Sequence, residues 1–504
     1  MTLSSSSEST LIDYIKHHAA TRPDELSVCE LMPGGQRREL SWRELRNAAQ
    51  SLAVTLARDY PDHTVMMALP NCAEAQIALL GSLWSGSRTF PVSPQLPIEG
   101  FRRLVEKVGK TVLIASQELI DAATTSFDAT LVAETLAVEA VIRSRVLVDV
   151  LLDESRHGSV LLESSGTTGL PKIVQREMRS LTALGENLTA ALKLAPSDRI
   201  LVSILLCHSY GIDIAMAAAT VAGCEIELHR QYSPAAARAA LRDRKISVWP
   251  AVPLMFDSIS RDNEPAPPNK LRLAISAGSP LPGRIYEQFL SVFDISIGQI
   301  YGASEFGSVF YGSPEIFPFD PLAVGRPLEG VEARVLNMEN PDINHSLPNG
   351  VEGEIAIRAP SMLTDYFEDV EGPDENGFIQ TGDIGTLDDG GVLRLTGRVK
   401  LLIDIGAKKV NPLEIEALLI KHPSVSEAVV LAVPYSDSAD RVKALVLPRE
   451  GQSPDPSALR AYLRKFLIAY KIPRGIEVRE TFPRSPTGKV LRSVLQAEVY
   501  GAKG

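Results

Sequence analysis

A chain of 504 residues is too long for one small core, and about 150 residues per domain gives roughly three units as a starting expectation. With 45% hydrophobic and 22% charged residues the composition is that of a globular protein. A net charge of −11 argues against a nucleic-acid binder, because phosphate backbones demand basic patches.

The polar N-terminus lacks a basic-then-apolar signal pattern. Leu11 to His18 has a short helical pattern. Ser41 and Glu44 form a capping-box signature that opens a helix running to Leu56. Val65 to Leu69 predicts a strand, and Ala73 to Ser85 a helix with Gly86 as its stop and Gly81 as an internal weak point. Strand and helix alternate again at Thr111 to Ala115 and Glu118 to Ala123; from Ala122 to His157 only short pieces are legible. Val160-Leu161-Leu162 reads as a buried strand that empties into Glu163-Ser164-Ser165-Gly166-Thr167-Thr168-Gly169-Leu170-Pro171-Lys172. Gly166 and Gly169 let backbone N–H groups turn toward a ligand, the four hydroxyls add donors, and Lys172 adds charge. A polyphosphate needs that combination, although the spacing is not that of a P-loop NTPase.

Met178 to Leu192 predicts a long helix, and Ile200 to Leu206 a strand that delivers Cys207-His208-Ser209-Tyr210-Gly211. Ile212 to Ala222 is the most apolar stretch, but Asp213 and Thr220 interrupt it and it falls short of the roughly 18 residues of a membrane span. It reads as a buried helix. Strands at Glu225 to Leu228, Val248 to Pro250 and Leu271 to Ser276 flank a helix at Pro234 to Arg244. From Val331 to Asp389 short strands with Gly and Pro turns predict a barrel-like β portion. A helix from Asn411 to Lys421, a strand from Val425 to Val433 and a helix from Ser457 to Phe466 then mark a small α+β domain. The fold class is α/β: a large N-terminal region of sheets flanked by helices, residues 1–399, and a small C-terminal domain, residues 400–504. Cys29, Cys72, Cys207 and Cys224 lack metal or disulfide spacing and read as free thiols in a reducing cytoplasm.

Ser164-Ser165-Gly166-Thr167-Thr168-Gly169-Leu170-Pro171-Lys172 resembles the phosphate loop of the adenylate-forming superfamily of acyl- and aryl-CoA ligases, peptide-synthetase adenylation domains and beetle luciferases. Four more stretches match that superfamily in order: Tyr301-Gly302-Ala303-Ser304-Glu305, Thr381-Gly382-Asp383, Gly397-Arg398 leading to Asn411-Pro412-Leu413-Glu414-Ile415-Glu416, and Pro483-Arg484-Ser485-Pro486-Thr487-Gly488-Lys489. The resemblance is closest to the acyl- and aryl-CoA ligase branch.

The resemblance implies that ATP activates a carboxylic acid to an acyl-adenylate with release of pyrophosphate, and that the acyl group passes to coenzyme A. Two anions must meet, so donors and cations are needed where charge develops. By resemblance Lys489 bridges the carboxylate and the α-phosphate, Glu305 holds Mg²⁺ on the phosphates, and Asp383 accepts from the ribose hydroxyls with Arg398 beside it. Gly278-Ser279 matches the turn against adenine, with Tyr301, Gly302, Ala303 and Ser304 next to it. His208 and Tyr210, in a segment typical of acid-activating relatives, are implied to line the acid pocket together with Ala277 and Gly302.

Lys400 stands where the family places the hinge of a mobile C-terminal domain. Many relatives have a lysine six residues after the arginine, and here that position is Asp404. A carboxylate near the adenylate phosphate meets like charge. Either Asp404 is turned away and Lys408 or Lys409 supplies the cation, or the second step differs from ordinary thioesterification. The alternatives to coenzyme A are the phosphopantetheine of a separate carrier protein or an amine, and a rival of another class is a non-catalytic nucleotide-binding scaffold. Lys172, Glu305, Asp383 and Lys489 together argue against the scaffold.

Overall fold

The computed structural model describes residues 9–116, 119–121, 132–135, 152, 156–164, 172–261, 265–367, 372–405, 409–436, 439–485 and 488–501. Two compact units divide the chain, Met1–Glu332 with Arg358–Ile379 and Ala333–Ile357 with Gln380–Gly504.

The first unit holds two mixed sheets. In one, Leu26–Leu31, Glu225–His229, Arg199–Val202, Val248–Ala251, Leu273–Ser276 and Ile297–Ala303 run parallel and in that order. Antiparallel Arg37–Ser41 lies beyond Leu26–Leu31, and Gly307–Gly312 and Ala323–Pro327 follow Ile297–Ala303. In the other, Thr111–Ala115, Thr64–Ala68, Arg88–Pro91 and Ser159–Ser164 are parallel neighbours, and Lys172–Glu177 turns back against the last. Thr64–Ala68 and Thr111–Ala115 are buried along their whole length, which explains their unbroken apolar sequence.

The helix Trp42–Asp59 opens on the expected capping box, with Ser41 N–H donating to the Glu44 carboxylate at 2.8 Å. Every residue of Ala73–Trp84 is buried. Gly81 is there for packing: a Cβ would lie 2.9 Å from the Ala49 carbonyl oxygen and 3.1 Å from Leu52 Cβ, so only glycine lets these helices touch.

The strand expected over Ile200 to Leu206 is shorter, Arg199–Val202. After it the chain folds back: His208 N–H donates to the Leu205 carbonyl at 3.1 Å, and a Cβ at Gly211 would sit 2.4 Å from that same oxygen. The expected buried helix follows as a π-helix over Ile212–Ala218 and an α-helical turn over Ala219–Ala222. The helix expected from Glu118 to Ala123 lies only partly within the described residues, and most of 122–157 lies outside them. Cys29, Cys72 and Cys224 are buried free thiols, and Cys207 is a half-buried one. No helix among the described residues is long and apolar enough to cross a membrane.

His18, on the helix Leu11–Thr21, is buried against Trp42 with ring centroids 4.6 Å apart. Its Nε2 lies 2.9 Å from the Thr220 carbonyl oxygen and its Nδ1 accepts from Arg22 at 2.8 Å, so the ring is wedged as a neutral tautomer. Burial, then Arg22 and His17, push its pKa down to about 4, against the Thr220 hydrogen bond. Between about pH 6.5 and 4 the unfolded chain binds a proton here that the folded chain does not, so acidification destabilises the fold. At about 1.4 kcal/mol per pKa unit the loss is on the order of 3 kcal/mol. Urea titrations at pH 7 and pH 4.5 should show His18→Gln losing less stability on acidification than wild type; equal losses would refute the assignment.

Largely within the second unit, Glu332–Leu336, Gly353–Arg358, Ile379–Leu387 and Leu393–Arg398 are neighbouring strands in that order, the first three from the β-rich stretch expected between 331 and 389. Asn411 caps the helix Pro412–Ile420 through its side chain. Val425–Ser436, Ala439–Pro448 and Gly475–Val478 form a three-stranded sheet. Val430 and Val446 pack with Ile415, Leu419 and Leu459 on one face, while Val429, Leu431 and Leu445 pack with Phe482, Leu495 and Val499 on the other. Covering both faces explains why Ala428 to Val433 is apolar without alternation. The residues at which the boundary is expected form a 3-10 turn, Val399–Leu401.

Candidate functional site

In the first unit Ser164 and Lys172 are register partners at the ends of two antiparallel strands. The candidate residues Ser165, Gly166, Thr167, Thr168 and Gly169 between them lie outside the described residues. Ser164 is buried, whereas Lys172 is half-buried with Nζ 5.2 Å from the centre of the Tyr366 ring. Burial, then the charge of Glu305, push the Tyr366 phenol up to about 12.

Tyr301 to Glu305 belong to a hairpin. Gly302 pairs with Ser308 and Ala303 with Gly307, after a bulge between Tyr301 and Gly302. A Cβ at Gly302 would fall 2.4 Å from the Gly307 carbonyl oxygen, so the position demands glycine. The Tyr301 ring packs against its own hairpin, 5.9 Å from Phe306 and 6.1 Å from Phe310. Ser304 donates to the Glu163 carbonyl at 3.2 Å, tying the turn to the strand that ends in Ser164. Glu305 is half-buried at the turn.

Ala277 is buried just past the strand Leu273–Ser276, its N–H donating to the Ala251 carbonyl at 3.3 Å. Gly278 follows with φ +84°, and it and Ser279 are exposed. Tyr210 donates its hydroxyl to the Ile275 carbonyl at 3.0 Å, fixing the His208 segment to this strand. Burial lowers the His208 pKa, which favours a neutral imidazole able to hydrogen-bond an acid without pairing with it as an ion.

Arg176 and Asp213 escaped the sequence reading. Both are essentially buried, with Nη1 3.0 Å from Oδ1. Asp213 Oδ2 accepts from the Ser308 N–H at 3.0 Å and the Ser308 hydroxyl at 2.8 Å, and Arg176 donates to Ser209 at 3.3 Å. The pair therefore fastens together the strand that begins at Lys172, the segment after His208 and the hairpin bearing Glu305. The signal was in the sequence. An aspartate inside an apolar run must be paired when buried, a demand that reading Asp213 only as an interruption overlooks.

Among the described residues no group of three or more His, Cys, Asp or Glu side chains is arranged to hold a metal. Magnesium on nucleotide phosphates takes only one or two protein carboxylates, and half-buried Glu305 suits that need.

In the second unit Asp383 and Arg398 face each other across an antiparallel ladder, with Nε 2.6 Å from Oδ1. Asp383 N–H donates to Thr381 Oγ1 at 3.0 Å, and Gly382 between them has φ +71°. Lys489 sits on a tight turn in which Ser485 N–H donates to the Lys489 carbonyl at 2.8 Å and Gly488 has φ +82°. Lys489 is exposed as a residue, yet its ammonium lies among enough protein atoms to be partly desolvated. That desolvation, then Arg398, lower its pKa while Asp383 opposes them, so Lys489 belongs to the electrostatic field of the Asp383–Arg398 pair. Lys400 lies in the 3-10 turn directly after Arg398. Asp404 pairs in register with Lys409.

The sequence matches the AMP-binding enzyme family over residues 15–367 and the AMP-binding enzyme C-terminal domain over residues 414–489. An oxalate–CoA ligase of Arabidopsis thaliana is 28% identical over 479 residues, covering 90% of this chain and 91% of that protein. The fatty acid–acyl-carrier-protein ligase ScoC of Streptomyces coeruleorubidus is 32% identical over 355 residues, 68% of this chain and 67% of that one. In fold, the chain resembles ATP-bound MatB from Rhodopseudomonas palustris, with a TM-score of 0.86 over 98% of this chain and 99% of that one at 22% identity.

Proposed function

We propose, for a chain that belongs to the AMP-binding enzyme family, that the residues above activate an organic carboxylic acid with ATP and pass the acyl group to the thiol of coenzyme A. The chain is an adenylate-forming ligase. The observation that supports this assignment of roles is the meeting of two separate motifs, Asp383 of one paired with Arg398 of the other at 2.6 Å across an antiparallel ladder, and both of these charges act on Lys489 of a third.

Lys172 and the Ser164 end of its loop bind the outer phosphates. Glu305 is the carboxylate that would hold Mg²⁺, which when bound offsets phosphate charge. Asp383 accepts from the ribose hydroxyls, Gly278 and Ser279 border the adenine with Tyr301, and neutral His208 orients the acid with Tyr210, Ala277 and Gly302 around it.

Asp404 favours a second reading of the acceptor. Like charge at about 4 Å from the adenylate phosphate costs roughly 4 kcal/mol at an effective dielectric of 20. The phosphopantetheine of a separate carrier protein, or an amine, is then the acceptor in place of coenzyme A. The test is pyrophosphate release from a panel of acids, followed by single-turnover transfer to coenzyme A, to a carrier protein and to amines. Fast transfer to coenzyme A that Asp404→Lys leaves unchanged supports the ligase reading. Slow transfer to coenzyme A that Asp404→Lys accelerates supports the second, and no pyrophosphate release with any acid would refute both.

A further inference from the structure

Ser361 to Phe367 form a strap joining two carriers of the site, neither of them near it in sequence. At one end the Ser361 hydroxyl donates to the Phe306 carbonyl at 2.6 Å and Leu363 N–H to the Glu305 carbonyl at 2.7 Å. At the other, Thr364 N–H donates to the Gln175 carbonyl at 3.0 Å and Phe367 N–H to the Ile173 carbonyl at 2.9 Å. Tyr366 pairs in register with Val174, two residues beyond Lys172. The strap thus sets Tyr366 next to the strand that begins at Lys172, with the lysine ammonium 5.2 Å from the ring centre. Among the described residues no ion pair joins Lys172 to Glu305.

We propose that Tyr366 is a positioning residue for the nucleotide site: its ring face receives the Lys172 ammonium and holds it apart from Glu305, available to the phosphates. The proposal rests on reading Lys172 as a phosphate-binding lysine. Left alone, a lysine and a carboxylate on adjoining elements attract each other, and such a pair must be broken before either can serve a nucleotide. An aromatic face attracts a cation through its quadrupole without neutralising it. It confines the lysine while leaving its three N–H donors free for oxygen acceptors. The strap's four anchoring hydrogen bonds give the ring the fixed position such a role requires.

Calorimetric binding of the non-reactive analogue α,β-methylene-ATP with Mg²⁺ tests this, because misfolding lowers the stoichiometry whereas mispositioning raises the Kd. Tyr366→Phe keeps the ring and should bind within about 2-fold of wild type. Tyr366→Leu keeps the bulk, loses the ring, and should weaken binding by about 5- to 30-fold. In a Lys172→Ala background Tyr366→Leu should add nothing, since its effect runs through the lysine. An undiminished effect of Tyr366→Leu in that background, or none in wild type, would overturn the proposal. If Lys172→Ala alone leaves nucleotide affinity untouched, the phosphate reading of that lysine fails first and takes this proposal with it.

Discussion

Lys489→Ala should reduce adenylate formation by on the order of 10³-fold while leaving the transfer of a preformed acyl-adenylate near the wild-type rate. The argument is electrostatic. Joining a carboxylate to an α-phosphate brings two anions into contact, and a cation that touches both is worth most where the charges are closest, in the transition state. Lys489 is held for this by its turn: Arg484 forms a double ion pair with Glu427 and donates to the Gly488 carbonyl at 3.0 Å. Neither contact uses the Lys489 side chain, so alanine removes the charge without loosening the turn. Burst-phase pyrophosphate release and single-turnover thioester formation separate the half-reactions. Equal losses in both would remove Lys489 from the adenylation step.

Lys400→Pro should do the reverse, sparing adenylation and slowing acyl transfer by on the order of 10²-fold. The strand Leu393–Arg398 ends and the strand Ile403–Asp404 begins with only the 3-10 turn between them, closed by Leu402 N–H donating to the Val399 carbonyl at 3.2 Å. A hinge needs a residue whose φ and ψ can change without breaking a ladder, and this turn is outside both. Proline holds φ near −65°, within the range a 3-10 turn uses, and removes the alternatives. If both half-reactions keep their rates, no rotation about residue 400 is required.

Much of this arrangement was legible in the sequence where the cause is local. The Ser41–Glu44 box is short-range chemistry, and it appears where the residues put it. The motif residues were legible as a set because each carries a distinctive local pattern. What was missed is joined only by the fold. Tyr366 is an ordinary tyrosine in sequence, and nothing local says that it will lie over Lys172. The strand expected over Ile200 to Leu206 is too long because an apolar run does not reveal where the chain turns; the turn is decided by Gly211 approaching the Leu205 carbonyl. Gly81 weakens a helix by propensity, and its reason for being there lies on a neighbouring helix.

The Arg176–Asp213 pair bears on how such an enzyme can change its diet over evolutionary time. On the proposed reading, in which His208 and Tyr210 border the acid, a new acid would call for substitutions in the segment that ends at Ile212, and that segment abuts a residue it is not free to alter. Losing one partner of a buried ion pair costs about 3–5 kcal/mol because the other is stranded, whereas replacing both with apolar residues is often neutral. Single-step drift at Asp213 is therefore closed, and the passage open to a lineage is a coupled exchange with Arg176. Relatives with an uncharged residue at one of these two positions should carry an uncharged residue at the other.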